Sequence, residues 1–129
     1  MDYSSEVLRR FGSHLEAGEL HDDLPGLVAG EAEDRALNVW VRFQVEVRGD
    51  RIEAARFRVF GCPHTVAAVS WAAEWLQGRD VSSLTQLDVQ GIAHRLDVPT
   101  EKLGKLLRVE DALLACWRQL AHGDEVNGG

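Results

Sequence analysis

Hydrophobic and polar residues alternate from residue 37 to residue 48. Leu37, Val39, Val41, Phe43, Val45 and Val47 fall on one side, and Asn38, Trp40, Arg42, Gln44, Glu46 and Arg48 on the other. A period of two sustained over that length predicts a long β-strand with one face in a core and the other in solvent. Gly49-Asp50 predicts a tight hairpin into a second strand over Arg51–Phe60, where Ala55, Phe57 and Val59 oppose Arg56 and Arg58. At Gly61-Cys62 the period changes. Apolar residues recur at helical spacing from Val66 to Leu76, and Pro63 suits the first helical position, where a missing N–H costs nothing. Cys62 is thereby placed at or beside the N-cap. The helix has two apolar sides, Val66/Val69/Ala73/Leu76 and Ala68/Ala72/Trp75 with Trp71, which predicts packing between the sheet and another helix.

The flanks read differently. Val7, Leu8, Phe11 and Leu15 lie at helical spacing behind Ser4-Ser5, predicting a short amphipathic helix closed by Ala17-Gly18. The following stretch, 19–33, holds Pro25, Gly26, Gly30 and many acids and reads as loop, with a short strand at 27–29. After Gly78, which ends the helix behind Cys62, short helices and connections are expected, with a turn around 88–90 and a helix over 92–96. Pro99-Thr100 opens the last long helix, with the stripe Leu103, Leu106, Val109, Leu113, Cys116, Trp117 and Leu120. A single domain over 1–122 and an unstructured tail over 123–129 follow. A helix, then strands, then helices indicate an α+β domain, helices gathered on one face of a small antiparallel sheet.

At 129 residues, 45% hydrophobic and 27% charged, the chain has the size and composition of one soluble globular domain that needs no disulfide or metal to fold. No apolar run is long enough to span a membrane, and the N-terminal MDYSSEVLRR lacks an apolar signal region, so a cytoplasmic protein is expected. A net charge of −7 argues against a nucleic-acid-binding surface. In a reducing compartment the two cysteines, Cys62 and Cys116, are expected to be free thiols.

Candidate chemistry centres on Cys62. A thiol at a helix N-terminus meets unpaired N–H groups and the positive end of the dipole, which favour the thiolate that attacks, accepts sulfur or ligates metal. A small buried hydrophobe is the alternative. His64 either joins Cys62 in a metal site or occupies the exposed first turn, and the first turn is the expectation. A nucleophilic pair of Cys62 with His64 or His94 is open, although no third orienting group can be named. Glu31, Glu33 and Asp34 read as solvated loop, or as carboxylates facing a metal near Cys62. Cys116, among apolar neighbours, reads as packing. No phosphate-binding glycine loop and no serine elbow occur, and the five histidines show no zinc-ligand spacing.

The stretch Ile52-Glu53-Ala54-Ala55-Arg56-Phe57-Arg58-Val59-Phe60-Gly61-Cys62 is similar to the motif I-E-D-A-R-F-x-x-x-G-C of the IscU/NifU-type iron–sulfur cluster assembly scaffold family. Glu74-Trp75-Leu76-Gln77-Gly78, Asp2-Tyr3-Ser4, Leu96-Asp97-Val98-Pro99 and Glu110-Asp111-Ala112 extend the resemblance over nearly the whole chain. It implies an IscU-like α+β fold, a three-stranded antiparallel sheet with helices on one side. It also implies a non-catalytic scaffold, iron–sulfur cluster or iron binding, and partners such as a cysteine desulfurase or other assembly proteins.

The family's cluster is held by three cysteines with an aspartate and a histidine. The first cysteine and the aspartate fall on Leu37 and Val39, the second cysteine on Cys62, and the histidine and third cysteine on Gly104 and Lys105. Only Cys62 is retained, so the resemblance implies a divergent member. The remaining metal candidates are Cys62 with His64, Glu33 and Asp34, a set that would also suit zinc. Two copies meeting at Cys62 as a homodimer, or one copy beside a complete scaffold, would make up the ligand number. A cluster-free interaction module and a thiol-based sulfur carrier are the alternatives. The family's leucine-proline-proline-valine-lysine chaperone stretch is here Val98-Pro99-Thr100-Glu101-Lys102.

Overall fold

The computed structural model describes residues 3–13 and 26–128. His14, Leu15, His21, the expected helix closure at Ala17-Gly18 and the loop before residue 26 lie outside the described residues. The elements are α1 (Ser5–Ser13), β1 (Leu27–Asp34), β2 (Val39–Arg48), β3 (Arg51–Phe60), α2 (Pro63–Leu76), α3 (Val89–Arg95) and α4 (Leu103–Gly128). Short 3₁₀ segments at Val81–Thr85 and Thr100–Lys102 precede α3 and α4.

The strands form one antiparallel sheet in the order β1-β2-β3. On the core face alternation does what the sequence predicts, with Val39, Val41, Phe43, Val45 and Val47 all buried. On the face expected in solvent, by contrast, Gln44 is buried and Trp40, Arg42 and Glu46 are half-buried. The β2–β3 register shifts between Glu46 and Val47, which pair with Ala54 and Ile52 and leave Glu53 unmatched. That bulge returns Ile52 to the core face beside Ala55 and Phe57. Gly49 turns the hairpin at a φ of 62°, where a side chain would be strained.

β1 is longer than the short strand expected at 27–29, and residues 30–34 are strand rather than loop. Gly30 explains part of this. A Cβ there would collide with the backbone of Ala112, Ala115 and Cys116, so the glycine lets α4 lie directly on the strand. Helices α2 and α4 cover the core face, α2 over β3 and α4 over β1 and β2, while α1 packs on α2. α3 begins at Val89, within the expected turn. α4 continues to Gly128 rather than ending before a tail at 123, since one glycine weakens a helix by about 1 kcal/mol without stopping it. Among the described residues no helix is long and apolar enough to cross a membrane.

Candidate functional site

β3 delivers the chain through Gly61 to Cys62, which is the N-cap of α2 with extended backbone (φ −75°, ψ 167°), and Pro63 opens the helix. Cys62 is half-buried, and its sulfur lies 3.5 Å from the hydroxyl of Thr65. The amides of Thr65 and His64 face the sulfur, although neither closes a full capping hydrogen bond on it. Partial burial pushes the thiol up. The Thr65 hydroxyl, these amides and the Lys105 ammonium outweigh that burial and hold Cys62 below the ordinary thiol value.

The start of α4 acts on this mouth and meets the β1–β2 turn. The β1–β2 turn brings Leu37 against α4, where a Cβ added at Gly104 would sit 3.4 Å from Leu37 Cδ1. The next residue of α4, Lys105, supplies the charge that acts on Cys62.

His64 is not in an exposed first turn. It is 1% exposed, its ring 4.8 Å from that of Tyr3, because the segment before α1 folds over the start of α2. Neither ring nitrogen has a hydrogen-bond partner among the described residues. Burial first, then Lys102 and Lys105, lower its pKa against the smaller raising effects of Asp97 and Glu101. His94 stands exposed in the last turn of α3.

The carboxylates do not converge on the thiol. In β1, Asp34 pairs with Val39 on the core side, whereas Glu33 pairs with Trp40 on the opposite face. Glu33 is 3.5 Å from Arg35, and Glu31 is 3.8 Å from Arg42. Asp34 accepts from the Leu37 amide at 3.1 Å and faces Arg108 at 3.7 Å. Among the described residues no group of three or more His, Cys, Asp and Glu side chains is placed to hold a metal ion. The set Cys62, His64, Glu33 and Asp34 is therefore not assembled, because strand alternation separates Glu33 from Asp34 and an arginine occupies Asp34. Cys116 is fully buried, its thiol pushed up to about 12 by burial, which agrees with a packing role.

Two contributors were not singled out from sequence, Thr65 and Arg108. Thr65 had a signal, since the third residue after an N-cap is the one whose side chain returns to it. Arg108 had none, because its contact with Asp34 depends on how α4 lies over β1.

The model of the NifU-like N terminal domain matches residues 2–121. The chain belongs to the NifU-like N-terminal domain family. This NifU-like chain is 30% identical over 114 residues to iron sulfur cluster assembly protein 1 of Trachipleistophora hominis, covering 88% of this chain and 83% of that protein. It is 29% identical over 123 residues to the iron-sulfur cluster assembly scaffold protein IscU of Azotobacter vinelandii, covering 95% and 96%. In fold it is similar to a NifU-like protein (N-terminal) from Brucella abortus, with a TM-score of 0.74 at 15% identity over 92% of this chain and 94% of that one. A putative iron-sulfur cluster assembly scaffold protein for the SUF system from Fervidobacterium islandicum gives a TM-score of 0.67 at 15% identity, over 88% and 95%. The three-stranded antiparallel sheet with helices on one side is thus the fold of NifU-like domains.

Of the ligand positions implied by the resemblance, Val39 is buried in the core of this NifU-like domain, 2% exposed. Leu37 lies beside Gly104 at the start of α4, and the next residue, Lys105, acts electrostatically on Cys62.

Proposed function

We propose that this chain is a non-catalytic, divergent scaffold-fold protein of iron–sulfur cluster assembly whose one reactive group is Cys62, and that it does not hold a cluster by itself. The observation that carries this reading is that Leu37 lies next to Gly104 in space, and that Lys105, which follows Gly104, acts on Cys62. A hydrocarbon and a bare backbone replace two donors, and a protonated ammonium cannot ligate. A cluster at this mouth, as cargo, needs thiolates from elsewhere, either a second copy of the chain or a complete scaffold. A cysteine desulfurase is the partner of the sulfur-supplying step, and the cytoplasm is the compartment proposed.

The lowered pKa of Cys62 favours a second reading, a sulfur carrier. The Cys62 thiolate would attack the terminal sulfur of a donor persulfide, form a new S–S bond and release the donor cysteine as its thiolate, with no net oxidation. Lys105 would stabilise the anionic persulfide.

Anaerobic reconstitution with ferrous iron and sulfide tests the leading reading, with iron per chain and visible absorption measured after gel filtration. No stable cluster on the monomer is expected. A cluster at one per monomer that is abolished by Cys62→Ser would overturn the reading. A cluster at one per two chains would select the bridged dimer over the carrier.

A further inference from the structure

Trp71 and Trp75 stand one turn apart on α2, their rings stacked at 6.1 Å with an 18° angle between planes, and both are only half-buried. They form a ridge between two open grooves. One, of about 240 Å³, runs between α2 and α3 and is lined by Trp71, Trp75, Leu87, Gly91, Ile92 and Arg95. The other, of about 380 Å³, lies on the α1 side of the same tryptophans and ends at Arg79. Both tryptophans pack against the core on one side, and each also lines both grooves.

Charge says what the ridge suits. Arg79 lies 4.2 Å over the Trp75 ring and donates from Nε to the Trp75 carbonyl at 2.7 Å. Arg95 stands exposed at the end of α3. Neither has a carboxylate partner among the described residues, and the two bracket the tryptophans. Glu74, in the Arg79 groove, pairs with Arg10 at 2.9 Å, a guanidinium it shares with Glu6. Asp88, at the N-cap of α3, is the one acid of the other groove. In a chain of 21 acids and 14 lysines and arginines, two arginines without a carboxylate partner among the described residues, beside an aromatic ridge, run against the prevailing sign.

We propose that the Trp71–Trp75 ridge is a docking surface for an acidic segment of a partner protein that carries a large apolar side chain. The apolar side chain enters the groove between Trp75 and Ile92, and flanking carboxylates meet Arg95 and Arg79. Tryptophan and arginine are the residue types that concentrate binding energy at interfaces, and a guanidinium held on an aromatic face keeps its outer N–H groups free for a carboxylate. Trp75 lies about 20 Å along α2 from Cys62 at the helix rise per residue, so an occupant here leaves the thiol mouth open. The inference is independent of how Cys62 is used.

The test follows the indole N–H resonances of Trp71 and Trp75 in the full chain. The probe is a short blocked peptide of glutamates around one leucine and one phenylalanine, and a lysine-for-glutamate peptide is the control. Saturable shifts of both resonances are expected with the acidic peptide alone. Arg95→Glu, an exposed change that leaves the core intact, should weaken binding about fivefold or more, and Arg79→Glu should do the same. No saturable shift, equal shifts with the lysine peptide, or unchanged affinity in both arginine variants would overturn the proposal. So would concentration-dependent movement of the same resonances without peptide, because the occupant would then be a second copy of the chain.

Discussion

The sulfur of Cys62 and the hydroxyl of Thr65 are 3.5 Å apart across the first turn of α2. A hydroxyl one turn into a helix donates to a thiolate at the cap, while burial of the same thiol works against ionisation. The balance lies on the side of the thiolate. Thiol labelling against pH should therefore give a midpoint below the ordinary value of about 8.5. Thr65→Val, which keeps the buried shape and removes the donor, should move that midpoint up, and so should Lys105→Met, which removes the cation. A parent midpoint at or above the free-thiol value would refute the activated cysteine. Cys116 should react only after unfolding.

His64 gives the acid side of the stability profile. Its folded pKa is lowered, so the unfolded chain binds the extra proton first as pH falls. Stability held above the unfolded value of about 6.5 should then decline through the window below it. Denaturant melts of metal-free protein should show that slope, and His64→Phe, which fills the space beside Tyr3 with a ring that cannot titrate, should flatten it. An unchanged slope in the variant would assign the acid sensitivity elsewhere.

Phe43 and Trp40 test the orientation of the sheet. Phe43 is fully buried in the centre of β2, whereas Trp40 is on the opposite face and half-buried. Phe43→Ala should cost on the order of 3 kcal/mol in denaturant melts, and Trp40→Ala clearly less. Equal losses would contradict the orientation.

β2, the second half of β3 and α2 were legible because each follows a single rule over several residues, whereas the bulge at Glu53 breaks the alternation earlier in β3. Alternation holds through Val39–Arg48, a glycine marks the hairpin, and Pro63 sets the helix start that makes Cys62 the cap. β1 was hidden because its core face carries a glycine, Gly30, and a carboxylate, Asp34, in place of large apolar side chains. Gly30 carries no side chain where α4 presses on the strand, and Glu31 and Glu33 face away from the core, so half a strand reads as an acidic loop. The site was legible at Cys62 and not at its neighbours. Tyr3 buries His64 from a segment far along the chain, and Arg108 reaches Asp34 only because α4 crosses β1, contacts that no local pattern records.

The mouth around Cys62 yields the most direct test of the proposed scaffold reading. A side chain at residue 104 would meet Leu37, and Lys105 acts electrostatically on Cys62, so donors placed at 37, 104 and 105 would face the start of α2. Space permits it: a Cβ at residue 104 makes only an ordinary contact with Leu37, and Leu37 is 36% exposed, so its replacement leaves the core intact. The combined variant Leu37→Cys, Gly104→His and Lys105→Cys offers, with Cys62, three thiolates and an imidazole, the number a [2Fe–2S] cluster requires. Reconstituted anaerobically and passed through gel filtration, it should retain iron and the visible absorption of a thiolate-bound cluster where the parent retains neither. Val39 is left unchanged, because a carboxylate in that buried position would cost more folding stability than it adds in ligation. Adding Cys62→Ser to the variant should abolish the absorption. If the folded triple variant holds no more iron than the parent, these positions do not converge on Cys62, and the divergence lies in the backbone of the mouth as well as in its side chains.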